Sequence, residues 1–395
     1  MKAFQFLCGR AWGGACAVVL TVTRAMIARG DEVWVLSFDD ETDRRFSEAG
    51  AHLVRPPFWF QAINPTDVLL LGYFWRFCRK QQFDLVITHT SKGGFLGRVA
   101  ARLAGVPHIV HHAHGFSFNR PLSPRATQFF VALERFAAGM GDLIVAVNEQ
   151  QRRLAVELGV EKPEKTCTIP NGIDLRPFAE ADGESIRKRL GFDSSAFLIG
   201  AVGRLAPQKG FAHLIHAIPD VLRSAPSAQF IVAGDGELRD ELLREADRAG
   251  VTRHIHFIGF QRDVVGLLAA LDVFVQPSLW EGLSISLIEA LAAGKPIVAT
   301  DIEGNREVVD DGMTALIVPP ADPGALSRAL ISLAEDRDRA RALGSNARNA
   351  AHARFSESRM VADTIRTYDR LMAGARRPAS KEALFNGSAH GVGPL

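Results

Sequence analysis

Short apolar runs alternate with amphipathic helical periods along most of this chain, and that alternation limits the fold more than any other feature. Residues 4–7, 33–36, 85–88, 109–111 and 143–147 read as buried strands, while Phe95, Leu96, Val99 and Leu103 mark one face of a helix between two of them. Strand-helix alternation builds a parallel sheet with covering helices. The pattern breaks at Ile169-Pro170-Asn171-Gly172-Ile173-Asp174 and in the polar residues 180–189, then resumes with strands expected at 197–202, 230–233, 256–258, 273–275 and 297–300. An α/β architecture of two Rossmann-like domains facing across a cleft follows. The expected organisation is a first domain over residues 1–175 and a second over 176–357. A helix over 358–372, with Ser356 as its N-cap, returns to the first domain. Residues 373–395 read as a disordered tail.

At 395 residues, 47% of them hydrophobic and 23% charged, the chain can bury two sizeable cores. Lys and Arg total 46 against 44 Asp and Glu, so there is no bulk electrostatic case for a nucleic-acid partner, and anions must be held by local sites. Cys8, Cys16, Cys78 and Cys167 show no Cys-x-x-Cys pairing, which points to a reducing compartment. Lys2 and the apolar residues 15–22 imitate a signal peptide only faintly, because Gly9, Arg10, Gly13 and Gly14 interrupt the stretch. No run approaches the ~20 apolar residues of a membrane span, so a soluble or peripheral, cytoplasmic protein is expected.

Three segments carry candidate chemistry. Gly9-Arg10-Ala11-Trp12-Gly13-Gly14 follows the first strand and precedes a helix, where backbone amides hold a phosphate or simply make a tight turn. It lacks the Gly-x-Gly-x-x-Gly spacing of a dinucleotide site. Arg204 and Lys209 follow the strand at 197–202, a guanidinium and an ammonium suited to a diphosphate. Glu281 and Glu289 stand eight residues apart. On a continuous helix they would be ~12 Å apart and rotated by ~80°, too far for the carboxylate pair of a retaining glycosidase but placed to grip two parts of one extended ligand. Glu289 would accept from ribose hydroxyls and Glu281, in the loop after residues 273–277, from sugar hydroxyls, with the amides of Gly282 and Leu283, near the start of the helix, as added donors. Such a set suits a ligand that has both negative charge and hydroxyls, such as a nucleotide-sugar.

With Gly13-Gly14, Thr88-His89-Thr90-Ser91-Lys92-Gly93-Gly94-Phe95-Leu96-Gly97-Arg98, His112-Ala113-His114-Gly115-Phe116, Pro170-Asn171-Gly172-Ile173-Asp174, Gly234-Asp235-Gly236-Glu237 and Pro277-Ser278-Leu279-Trp280-Glu281-Gly282, the chain resembles the retaining glycosyltransferases of family 4, which have the GT-B fold. The resemblance implies that Arg204 and Lys209 neutralise the donor diphosphate, that Glu281 contacts the donor sugar and Glu289 the ribose, and that His114 faces the sugar at the cleft. It also implies a nucleoside-diphosphate sugar donor, UDP-linked, with no metal or other cofactor. The acceptor would be a polyprenyl-diphosphate-linked or other glycan, handled at the inner face of the cytoplasmic membrane. Ser284, where many relatives have proline, and Ser286, where an apolar residue is common, depart from the family pattern and leave the identity of the sugar open. Two other readings are an isomerase of the UDP-N-acetylglucosamine 2-epimerase type and a non-catalytic nucleotide-sugar binding protein.

Two further features remain open on the residues alone. Pro57-Phe58-Trp59-Phe60 and residues 68–80 mix aromatic and basic side chains, which suits either an anionic membrane surface or the core of the first domain. Arg98, Arg102, Arg120 and Arg125 would reinforce such a surface or merely form solvated helix faces.

Overall fold

The computed structural model describes residues 1–7, 14–36, 39–58, 64–119, 122–193 and 195–374. The first sheet contains β1 (Lys2–Phe6), β2 (Glu32–Leu36), β3 (His52–Val54), β4 (Leu85–His89), β5 (His108–Ala113), β6 (Leu143–Ala146) and β7 (Thr166–Thr168), in the spatial order 3-2-1-4-5-6-7. The second contains β8 (Phe197–Val202), β9 (Ala228–Ala233), β10 (Ile255–Gly259), β11 (Val273–Gln276), β12 (Ile297–Thr300) and β13 (Leu316–Val318), in the order 10-9-8-11-12-13. All pairings between these strands are parallel. The chain thus forms the two Rossmann-like sheets of a GT-B fold. The outer strands β3, β7 and β13, three residues each, do not stand out in the sequence.

Apolar periodicity explains how helices seal these sheets. The helix Phe211–Ser224 buries Phe211, Leu214, Ile215, Ile218 and Val221, a 3.6-residue stripe laid against β8 and β9. The helix Asp67–Gln81 buries Leu70, Phe74 and Cys78, and Phe74 meets Phe6 at a ring distance of 4.5 Å. Each such buried phenylalanine contributes roughly 1.5–3 kcal/mol. The same helix turns Val68 (73% exposed), Leu69 (65%), Trp75 (37%), Arg76, Arg79 and Lys80 to solvent, so it serves the core with one face and presents an aromatic-basic face with the other. Trp59 and Phe60 lie outside the described residues.

Arg98 corrects the expectation of an anionic-lipid surface at that position. Its side chain is 0% exposed, with Nη2 donating to Glu134 Oε2 at 2.6 Å and Nε to the Gly94 carbonyl at 2.8 Å. A buried guanidinium requires that pairing. Arg102 reaches Asp142 and the Met140 carbonyl at the surface and Arg125 is exposed. Arg120 lies outside the described residues.

The helix Glu357–Met372 packs across the helix Gly14–Ala28 of the first sheet. Ser356 accepts from the Arg359 amide as its N-cap. Met360, Thr364 and Tyr368, spaced by one turn each, point inward, and the Tyr368 hydroxyl lies 2.8 Å from His112 Nε2. Gly172 lets the chain pass here, because a Cβ would overlap the Ser356 carbonyl. Residues 375–394 and Leu395, the expected tail, lie outside the described residues.

Candidate active site

In open parallel sheets, ligands bind beyond the carboxyl ends of the strands where the strand order reverses. Those points are β1/β4 in the first sheet and β8/β11 in the second. The chain leaving β8 carries Arg204 and then a short turn, Pro207–Lys209. Gly210 follows at φ +63°, where a Cβ would overlap the Pro277 carbonyl, so glycine allows this turn to lie against the chain leaving β11. The Leu279 amide donates to the Gln208 carbonyl at 2.8 Å and joins the two loops.

That junction brings Lys209 to Glu281. Glu281 Oε1 accepts from Lys209 Nζ at 2.6 Å, Ser278 Oγ at 2.8 Å and Gln276 Nε2 at 3.0 Å, and Oε2 accepts from Gln208 Nε2 at 2.9 Å. The Glu281 side chain is 6% exposed and that of Lys209 16%. Both carboxylate oxygens are therefore engaged within the protein, and of the four donors Gln276 alone lies outside the motifs that the sequence marks. Arg204 is exposed and forms no ion pair among the described residues.

The helix that carries Glu289 begins after the loop that holds Glu281. It spans Ile285–Ala292, so Glu281 sits in the preceding loop and only Glu289 is helical. Ser284 is the N-cap, its Oγ accepting from the Leu287 amide and lying 3.1 Å from Ser286 Oγ. The two serines that depart from the family pattern thus start this helix and bind each other. Gly282 and Leu283 immediately precede the cap, near the start of the helix. The Gly282 carbonyl accepts from Asn148 Nδ2 of the first sheet's region, and the Leu283 side chain is buried in the core. The amide of Ile285, in the first turn, is the group at the N-terminus of this helix.

Glu289 is partly buried and makes no side-chain hydrogen bond among the described residues. Burial pushes its carboxyl up to about 7. A carboxyl in that state is a ready acceptor or donor for a pair of hydroxyls.

From the first domain, Gly14 begins the helix Gly14–Ala28, and a Cβ on it would lie 2.8 Å from Ile285 Cγ1. Two helix N-termini, each with unpaired amides and a partial positive charge, therefore approach each other across the cleft. Gly13 and the preceding residues 9–12 lie outside the described residues. His114 follows β5, and its carbonyl leaves no room for a Cβ on Gly282, so the histidine borders the loop that holds Glu281. Its Nε2 lies 3.0 Å from His89 Nδ1, its Nδ1 is buried with no partner among the described residues, and burial pushes the ring down to about 4, which keeps it neutral. Gln151 is another residue that the sequence did not single out. It is fully buried beside Gly282, with both side-chain amide atoms unpaired among the described residues. The Gln150 amide donates to Glu307 at 2.9 Å and adds a second link between the domains.

Comparisons with known proteins bear on the family and the fold. Residues 13–172 match the Glycosyl transferase 4-like domain and residues 182–350 match Glycosyl transferases group 1. The UDP-Gal:alpha-D-GlcNAc-diphosphoundecaprenol alpha-1,3-galactosyltransferase of Escherichia coli is 33% identical over 276 residues, 69% of this chain and 71% of its own length. Alpha-maltose-1-phosphate synthase of Mycolicibacterium smegmatis is 28% identical over 347 residues, 82% of this chain and 88% of its own. In structure, Anabaena HepE in complex with UDP and glucose superposes with a TM-score of 0.80 at 24% identity, covering 93% of this chain and 99% of HepE. WaaG, a glycosyltransferase involved in lipopolysaccharide biosynthesis, gives 0.75 at 19% identity over 95% of this chain and 100% of its own. With both halves matched in order and a relative above 30% identity over two thirds of each chain, this protein belongs to the family 4 type of glycosyltransferases, with the GT-B fold.

Proposed function

We propose that this glycosyltransferase moves a hexosyl or N-acetylhexosaminyl group, with retention of configuration, from a UDP-linked donor to a polyprenyl-diphosphate-linked glycan in bacterial surface polysaccharide biosynthesis. The observation that carries the proposal is the junction of Lys209 with Glu281 beside an unpaired Arg204 and two facing helix N-termini. Together they offer positive charge for a diphosphate next to a carboxylate for sugar hydroxyls. The Escherichia coli relative, whose name specifies a UDP-sugar and a diphosphoundecaprenol acceptor, supports the choice of both substrates.

In the transfer, the bond between the anomeric carbon and the diphosphate breaks and negative charge grows on the leaving group. Arg204 and Lys209 stabilise that charge, and removal of one such donor typically costs ~10²- to 10³-fold in rate. These cations and the helix N-termini supply the positive charge, so the proposed mechanism involves no metal. Lys209 exchanges part of its contact with Glu281 for the diphosphate, which frees Glu281 to accept from the sugar. Glu289 takes the ribose hydroxyls. A carboxylate that accepts four hydrogen bonds, as Glu281 does, is a weak nucleophile, which favours attack by the acceptor hydroxyl from the leaving-group face over a covalent enzyme intermediate. The departing phosphate then takes the acceptor's proton.

The exposed face of the helix Asp67–Gln81, with Val68, Leu69, Trp75, Arg76, Arg79 and Lys80, suits an anionic bilayer surface at the cytoplasmic side. No described helix is long and apolar enough to cross a membrane.

The test is a screen of UDP-sugars with a polyprenyl-diphosphate-linked glycan, with the product's new linkage read by NMR. An α-linked product from an α-linked donor is expected. An inverted linkage would overturn retention, and an epimeric UDP-sugar formed without acceptor would overturn transfer in favour of isomerisation. Flotation with vesicles containing anionic lipid should carry the protein upward and should fail for a Trp75→Ser, Arg79→Ser variant.

A further inference from the structure

Three side chains from three different parts of the first sheet form a buried hydrogen-bonded chain. Gln5 lies on β1, His89 ends β4 and His114 follows β5, and the sheet order places β4 between β1 and β5. Gln5 Oε1 lies 2.7 Å from His89 Nε2, and His89 Nδ1 lies 3.0 Å from His114 Nε2. The polarity of this chain follows from its two ends. At one end, the Gln5 amide nitrogen faces the Met26 sulfur at 3.7 Å. A thioether accepts weakly and donates nothing, so the carboxamide oxygen belongs on the His89 side and His89 carries its proton on Nε2.

His89 is neutral, because burial lowers its pKa well below the usual value and His114 and the other nearby histidines lower it further. A neutral imidazole has one N–H. His89 Nδ1 is therefore a lone pair that accepts from His114 Nε2–H. His114, also neutral, is then left with a lone pair on Nδ1, and that atom is buried with no partner among the described residues. The reverse polarity would bury an orphan N–H at the same place, which native proteins avoid more strictly than an orphan acceptor. Thr90, next to His89, holds φ +62° although it is not glycine, and such strain persists where surrounding structure fixes the chain for function.

We propose that Gln5 and His89 are positioning residues that lock His114 in the tautomer protonated on Nε2, so that Nδ1 meets the sugar as an acceptor and selects a hydroxyl there over a carboxylate. The selection rests on the proposed placement of the sugar against His114, whereas the lock does not. A hydroxyl can donate to a lone pair. An ionised uronate can only accept, and it would face His114 Nδ1 with two lone-pair groups opposed.

The lock is tested without any substrate by 15N long-range NMR of histidine-labelled protein near neutral pH, with His114 assigned by its loss in His114→Asn. Wild-type His114 should show an unprotonated Nδ1 and a protonated Nε2. His89→Leu should move both nitrogens toward averaged values, and His89→Asn, whose side-chain oxygen replaces Nδ1 as acceptor, should restore the wild-type pattern. Protonated Nδ1 in the wild type, or an unchanged tautomer in His89→Leu, would overturn the lock. If His89→Leu fails to fold, the wild-type spectrum and Gln5→Leu still decide it. In transfer assays, His89→Leu should lower kcat/KM by about tenfold, the worth of one hydrogen bond, with recovery in His89→Asn. The wild type should discriminate against a uronic-acid donor more strongly than His89→Leu does. Equal discrimination by the two proteins overturns the selection alone, and absence of transfer with every UDP-sugar would instead strike the proposed activity.

Discussion

Lys209 Nζ lies 2.6 Å from Glu281 Oε1 although 72 residues separate them in sequence. The pair forms because two loops, one leaving β8 and one leaving β11, are pinned together at Gly210 and Leu279. Lys209→Ala should therefore act on stability as well as on rate. Glu281 would keep its three neutral donors but lose its cation, at a cost of about 1–2 kcal/mol, below the 3–5 kcal/mol typical of a broken buried pair. Transfer should fall by ~10²- to 10³-fold. Urea unfolding and steady-state kinetics measure the two effects, and unchanged stability would show that Glu281 does not depend on Lys209.

Arg204 offers the opposite combination. It is exposed and unpaired among the described residues, so nothing in the fold depends on its charge. Arg204→Ala should leave unfolding within ±0.5 kcal/mol of the parent and lower transfer by ~10²-fold or more. Calorimetry should show weakened binding of UDP with little change for uridine. Equal loss for both ligands would place Arg204 on the nucleoside rather than the diphosphate.

Glu289 costs the fold stability at neutral pH, and the sign follows from its raised pKa. Below its unfolded pKa the carboxyl is protonated in both states and contributes nothing. As pH rises from there through about 7, the unfolded chain releases its proton before the folded chain does, so stability is lost across that window and stays lost above it. Glu289→Gln removes that penalty. It should match the parent near pH 4.5 and exceed it by about 1–2 kcal/mol at pH 8, a value kept below the full shift because the side chain retains some contact with solvent. The same variant should bind UDP about tenfold more weakly, through loss of charged hydrogen bonds to the ribose. Thermal unfolding at two pH values and calorimetry check both parts.

Strands of four or more apolar residues were legible because burial on both faces of a parallel sheet leaves near-continuous hydrophobic runs. The three-residue strands β3, β7 and β13 bury too little to stand out from loops. Among the candidate site residues, charge and spacing marked Arg204, Lys209, Glu281 and Glu289, but nothing in the motifs that hold Gln208 and Ser278 says that they and Gln276 gather around Glu281, which only folding brings about. Arg98 misled for a physical reason. A guanidinium is expected in solvent unless paired, and its partner Glu134 stands 36 residues away on another helix. Glu281 was legible as a loop residue because a strand ends shortly before it, and Ser284 caps the Glu289 helix so that it starts at Ile285.

Gly282 shows how the two domains meet, and its substitution isolates that meeting. A Cβ there would overlap the His114 carbonyl and lie 2.8 Å from Gln151 Nε2. The carbonyl belongs to the backbone just beyond a sheet strand and cannot swing away, so Gly282→Ala should wedge the cleft open rather than unfold either domain. Among the described residues Gly14→Ala meets the Ile285 side chain most closely at Cγ1, which a rotamer change can withdraw, and should have the milder effect. For Gly282→Ala, small-angle scattering should report a larger radius of gyration, and kcat should fall at least tenfold through a misplacement of the order of 1 Å. UDP affinity should remain within about threefold, because Arg204, Lys209 and Glu289 all belong to the second domain and a threefold change is well under 1 kcal/mol. A loss of UDP binding as large as the loss of kcat would mean that the wedge distorts the donor site itself and does not merely hold the domains apart.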